Sequence, residues 1–172
     1  MNRLFFLFLC PLALLATPAQ VILMRNAEVS QESSALSLKG RQRAKALEAF
    51  FQGTPAVLSF GLPAAVFAVD ESQETVSYLS KAIHVPVTQA FTSSEELTEE
   101  LLHNPDYEGK MVLVCWPQEE IASLATKLGA KKTPKTWTPD AFDRLWILTF
   151  DETDKVTFNN LPQKLLYGDS SK

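Results

Sequence analysis

The 172-residue chain has only two cysteines and two histidines. That scarcity removes the ligand sets of a structural zinc site, and His84 and His103 lie far apart in sequence, neither in a metal motif. Positive charge is also in deficit: 16 Lys and Arg stand against 20 Asp and Glu, a net charge of -4. With no basic stripe either, nucleic acid is not an expected partner. The sequence has no internal repeat, no low-complexity tract and no apolar run long enough to cross a bilayer comfortably. Its length suits one domain with a sizeable core, and no motif asks for a cofactor or a metal.

What is present begins at the N-terminus. Arg3 precedes an apolar run from Leu4 to Ala16, followed by Thr17-Pro18-Ala19. This is the pattern of a secretory signal peptide cleaved after Ala19, leaving residues 20–172 as one domain in the periplasm or outside the cell. A membrane anchor or a buried first helix is the alternative, but the run lacks the spacing of a one-faced helix. Leu9, before Cys10, is too large for a lipoprotein signal. Cleavage removes Arg3 and Cys10, makes the domain one unit more negative, leaves no stable membrane span, and leaves Cys115 without an internal disulfide partner.

Beyond the leader, short apolar runs alternate with helical patterns, the mark of an α/β domain. QVILM, AAVFAVD, HVPV, KMVLVCW, RLWILTF and KVTFNN read as strands. HVPV belongs at an edge or end because of Pro86. LSLKGRQRAKALEAFF, SQETVSYLSKAI, TSSEELTEELLHN and EEIASLATKLG read as helices. Ser37 is an N-cap, Ser93 to Glu96 a capping box, and Gly129 a stop. PAVLSF, after Thr54, is a further helical turn or two. Gly40 sits inside a helix at a cost of about 1 kcal/mol, for which close packing is the reason. KKTPKTWTPDAF is a loop.

In VILMRNAEVS, apolar residues lead straight into Arg25, as a buried strand delivers a cation to its end. An arginine there suits a phosphate or carboxylate. The next residue, Asn26, is neither a nucleophile nor a proton shuttle.

This strand end and the phrase LSLKGRQRA together resemble the histidine phosphatase superfamily, with its phosphoglycerate mutase-like fold. Members carry an Arg-His pair after the first strand, then Leu-Ser-x-x-Gly-x-x-Arg-Ala, which Leu36, Ser37, Gly40, Arg43 and Ala44 match. VLVCWPQEEIASLATKLGA, FDRLWILTF and FNNLPQKLLYGD are similar to a bacterial branch of the superfamily, so the resemblance spans about residues 20 to 169. It implies a three-layer α/β/α sandwich with a mostly parallel central sheet. In active members it implies metal-free covalent catalysis. The first histidine attacks phosphorus, two arginines and a second histidine hold the oxygens, and an acid protonates the leaving group.

Carried over residue by residue, Arg25 matches the first arginine, while Asn26 stands at the nucleophile. With Thr75 taken as the threonine that follows the second arginine, Glu71 occupies that arginine's place. Pro117 takes the place of the second histidine. Only Arg25 keeps its identity. Asn26 forms no phosphoenzyme, Pro117 donates nothing, and Glu71 reverses a charge. Two like charges about 4 Å apart repel by roughly 4 kcal/mol at an effective dielectric of about 20.

No other nucleophile is set up. Cys115 has Ile121, not an arginine, six residues on, and reads as a small buried residue. Ser30, Ser33 and Ser34 have no histidine to activate them. Glu119 and Glu120 suit a helix start. Trp116 either lines the pocket or packs. His84 and His103 read as surface or edge residues, and Lys39, Arg41, Arg43 and Lys45 as a solvated face.

The expectation is an exported pseudoenzyme: a catalytically inactive domain of this fold with a binding or interaction role. Its partner would be a small anion or a protein, held at Arg25, Asn26, Glu71, Trp116 and Gln118. A phosphohydrolase with altered chemistry in the same cleft, and a structural relic, are the alternatives. Because an unpaired buried guanidinium is costly, a carboxylate of Glu71 or Asp70 is expected to fill the phosphate position and pair with Arg25.

Overall fold

The alternating signals are realised in order in the structure, a computed structural model describing residues 16–53 and 59–169. The strands are β1 (Gln20–Met24), β2 (Ala65–Ala68), β3 (Val87–Thr88), β4 (Met111–Cys115), β5 (Arg144–Phe150) and β6 (Val156–Pro162). The helices are α1 (Leu38–Gly53), α2 (Gln73–Ile83), α3 (Ser94–His103) and α4 (Gln118–Lys127). The apolar leader with Cys10, and most of PAVLSF, lie outside the described residues.

One sheet runs β3-β2-β4-β1-β5-β6. The β2–β3, β2–β4 and β1–β4 pairings are parallel, while β1–β5 and β5–β6 are antiparallel. Every residue of β1 and β4 is buried, as continuous apolar runs covered on both faces should be. Ile22, Met24, Leu113 and Cys115 pack with Leu47 and Phe51 of α1 and Val76 and Leu79 of α2. Val21, Leu23, Val112 and Val114 pack on the other face with Leu97 and Leu101 of α3 and Ile121, Leu124 and Ala125 of α4. The result is the expected three-layer α/β/α sandwich around a mostly parallel mixed sheet.

Local signals account for most boundaries. Ser37 Oγ accepts from the Gly40 amide at 3.1 Å and caps α1. Ser93 Oγ accepts from the Glu96 amide at 3.2 Å, the forward half of the expected capping box. Gly129 follows α4 at φ +89°, the left-handed geometry that favours glycine. β3 lies at the sheet edge, next to Pro86. Several boundaries differ from the sequence reading. Of HVPV only Val87 joins β3, because His84 is still the left-handed cap of α2. The first helix runs Leu38–Gly53, since Ser37 caps it from outside. The second strand stops at Ala68, because Asp70–Ser72 form a 3-10 turn. β6 continues beyond Asn160 to Pro162, which an edge strand tolerates.

Parallel register sets the site. Met24 pairs with Cys115, and Cys115 with Ala68, so β1, β4 and β2 end level. The Trp116 amide extends the ladder by donating to the Met24 carbonyl at 2.9 Å. The chain segments that begin at Arg25, Trp116 and Val69 therefore leave the sheet side by side at its carboxyl edge.

Candidate functional site

Arg25 follows β1 directly and is 8% exposed. Its carboxylate partner was expected to be Glu71 or Asp70, and the structure corrects this. Both lie exposed on the 3-10 turn after β2, neither forms an ion pair with Arg25, and Asp70 accepts instead from Gln89 at 2.6 Å. A loop from later in the chain takes their place. One terminal nitrogen of Arg25 donates to the Pro139 carbonyl, and the guanidinium carbon lies 3.8 Å from the centroid of the Phe142 ring. Trp137 holds this loop by donating to the Ala141 carbonyl at 2.7 Å, while its ring lies 5.1 Å from that of Trp146. The cover is neutral: a dipole and a π-face, with the buried Nε of Arg25 left without a hydrogen-bond partner. Burial lowers the Arg25 pKa, against the opposing pull of Glu119, Glu28, Cys115 and Asp140. The reason the 3-10 turn fails to supply a partner is geometric: it carries Asp70 and Glu71 outward toward solvent.

Beside Arg25, Asn26 is half-buried and its amide nitrogen donates to the Ala27 carbonyl at 3.2 Å. The segment is tied to α2 by the Ala27 amide, which donates to Thr75 Oγ1 at 2.9 Å. Pro117 is the N-cap residue of α4 and supplies no side-chain cap. Gln118 opens that helix with its Oε1 buried and unpartnered. Trp116 is buried and its indole donates to Glu120 Oε2 at 3.3 Å, so it is a packed element that also gives Glu120 a partner. Thus Arg25, Asn26, Trp116, Pro117 and Gln118 all lie at the carboxyl edge, whereas Glu71 stands out in solvent.

Cys115 is fully buried, and burial pushes its thiol up to about 12 despite the Ser72 hydrogen bond and the nearby Arg25. It stays protonated at neutral pH and is no thiolate nucleophile. Ser30 Oγ accepts from the Glu32 amide at 3.1 Å, and Ser33 and Ser34 are exposed. His84 caps the C-terminus of α2 and His103 ends α3. Helices that connect parallel strands run back along the sheet, so both histidines lie at its amino end, away from Arg25. Among the described residues no group of three or more His, Cys, Asp or Glu is placed to hold a metal ion, and no helix is long and apolar enough to cross a membrane.

A second arginine site escaped the sequence reading. Arg43 was placed on a solvated face of α1, but its side chain is 1% exposed. Its Nε and one terminal nitrogen donate to Glu28 at 3.0 and 2.8 Å, and both terminal nitrogens donate to Asp169 at 2.8 and 2.9 Å. Burial opposes the charge on all three groups, but these hydrogen bonds outweigh it. They raise the Arg43 pKa and lower those of Glu28 and Asp169. The same aspartate accepts from the Leu165 and Leu166 amides at 2.9 and 3.0 Å, binding the chain's last described residues to α1. Gly40 makes this possible: a Cβ there would stand 2.0 Å from the Glu28 carbonyl oxygen. One signal was available, since Gly40 and Arg43 are three apart and share a helix face. Of the other cations in the presumed solvated face, Lys39 pairs with Glu28 at 3.4 Å, and Arg41 donates to the Leu36 carbonyl at 2.5 Å.

Between the loop over Arg25 and this ion cluster lies a cavity of about 360 Å³, bordered by Lys39, Arg43, Glu28, Asp140, Phe142 and Asp169. Its charges are mixed, and Arg43 is already bound to two carboxylates.

No protein-family model matches the chain, and no curated protein matches its sequence. Its backbone does match solved structures. The protein histidine phosphatase SixA, complexed with tungstate, is similar with a TM-score of 0.61 at 15% identity, over 84% of this chain and 97% of that one. A phosphoglycerate mutase from Plasmodium falciparum is similar with a TM-score of 0.58 at 15% identity, over 91% of this chain and 98% of that one. A mycobacterial glucosyl-3-phosphoglycerate phosphatase, complexed with VO3, is similar with a TM-score of 0.56 at 14% identity, over 83% of this chain and 97% of that one. The shared property is the histidine phosphatase, phosphoglycerate mutase-like fold.

Proposed function

We propose that this chain is an exported, catalytically inactive protein of histidine phosphatase fold that acts by binding. The observation that carries the reading is Asn26: it stands beside Arg25 where the resemblance puts the nucleophile, with its amide turned to the Ala27 carbonyl. An amide has no route to a phosphoenzyme, and losing a nucleophile costs several orders of magnitude in rate. Pro117 at the second histidine's position, and the Pro139–Phe142 cover on Arg25, support the same conclusion. Altered hydrolytic chemistry gains no support, since the thiol of Cys115 is buried and both histidines lie at the opposite end of the sheet. Export rests on the apolar leader and the small residues before Gln20.

The test is turnover of several small phosphoesters by the purified protein against an Arg25→Ala control. Equal, background rates are expected, and Asn26→His alone should not raise them, because Pro117 is still in place. Turnover well above the control would sink the inactive reading. For export, mass spectrometry of the protein from its native host should find Gln20 at the N-terminus; Met1 on most molecules would refute it.

A further inference from the structure

At the end of the molecule opposite Arg25, the C-terminus of α4 and the hairpin between β5 and β6 border a cavity of about 670 Å³. Its floor is apolar. Val156 and Phe158 of β6 are half-buried there, and Gly129 lies so close that a Cβ on it would be 3.2 Å from Val156. Its rim is cationic, with Lys131, Lys132 and Lys155. All three are exposed, and none forms an ion pair among the described residues. Asp154 also borders it and places one carboxylate among the three lysines. Clustering cations costs self-repulsion, offset in part at Lys155 by the nearby Asp151 carboxylate. Beneath them β6 is the outermost strand, so one row of its backbone groups faces no other strand.

We propose that this groove docks an extended, acidic segment of a partner protein. Apolar side chains of the segment lie on Val156 and Phe158, while its carboxylates meet the three lysines. Alternation along an extended chain supplies both kinds of side chain at the needed spacing. The apolar floor selects a peptide over a polyanion, because a phosphate backbone has nothing to bury there. The proposal extends the binding role but needs nothing from the Arg25 pocket.

The test is fluorescence anisotropy of a labelled peptide of alternating glutamate and valine titrated with the purified protein. A lysine–valine peptide of equal length is the control. The acidic peptide should bind, the basic one should not, and added salt should weaken the complex. Lys131→Glu, Lys132→Asn and Lys155→Glu combined should weaken it at least about tenfold with an unchanged melting curve. Asparagine is chosen at 132 because that residue has φ +63°, which asparagine tolerates. Arg25→Ala should leave the peptide affinity unchanged, and phosphoester turnover on the same preparation reports separately on inactivity. Absent binding, equal binding by the triple variant, or tighter binding of phosphatidylserine vesicles or duplex DNA than of the peptide would overturn the proposal.

Discussion

Arg25 and Arg43 are both buried arginines, and they are opposites. Arg43 has two carboxylates in fork geometry, each of its nitrogens is bonded, and its ring of partners joins the segment after β1, helix α1 and the C-terminal segment. Arg25 has one carbonyl, one aromatic face and an unpartnered Nε. A guanidinium enclosed by matched charges is part of the architecture. One capped by neutral groups is held by a dipole and a ring alone, with its Nε unpartnered. The contrast shows that burial of a cation does not disclose its purpose; the identity of its partners does.

Removing the better-paired arginine should have the largest effect. Arg43→Met leaves Glu28 and Asp169 buried against each other, and should lower stability by about 3–5 kcal/mol in urea unfolding at neutral pH. A loss below about 1 kcal/mol would show that the ion cluster is incidental.

Acid should act on the same cluster, less severely. Burial pushes the Glu28 and Asp169 carboxyls up, but the Arg43 hydrogen bonds outweigh it and hold both below their usual range. Their stabilisation is therefore complete above the unfolded-state values of about 4, and disappears as pH falls through the lower folded values. Unfolding measured from about pH 5 down to about pH 2 should show this loss, and it should be missing in Arg43→Met. An identical acid profile in that variant would assign the loss to other carboxylates.

The smallest change is expected at Arg25. Arg25→Met replaces an incompletely paired buried cation with an apolar chain of similar reach, so stability should stay within about 1 kcal/mol of the parent or rise. A loss as large as that of Arg43→Met would erase the distinction between the two sites.

The sequence by itself determined the order of strands and helices, the apolar faces that bury β1 and β4, and the placing of Arg25 directly after β1. These follow from periodicity and residue identity, both local properties. The capping of α1 by Ser37 was legible for the same reason, and Gly40 was correctly read as a close-packing position. Tertiary structure alone decided which groups meet the two arginines. Asp169 is 126 residues from Arg43, and Pro139 is 114 from Arg25. Nothing in a loop such as KTWTPDAF states where its path will cross the sheet edge. That depends on β5 turning antiparallel beside β1, which brings the segment before Arg144 to the carboxyl ends of the parallel strands. Arg43 was misplaced because a helical charge pattern is read from its own helix, while its carboxylates come from two segments outside that helix. Glu71 was misplaced because a turn that begins after Ala68 sends it outward, and the direction of a turn is set by the packing around it.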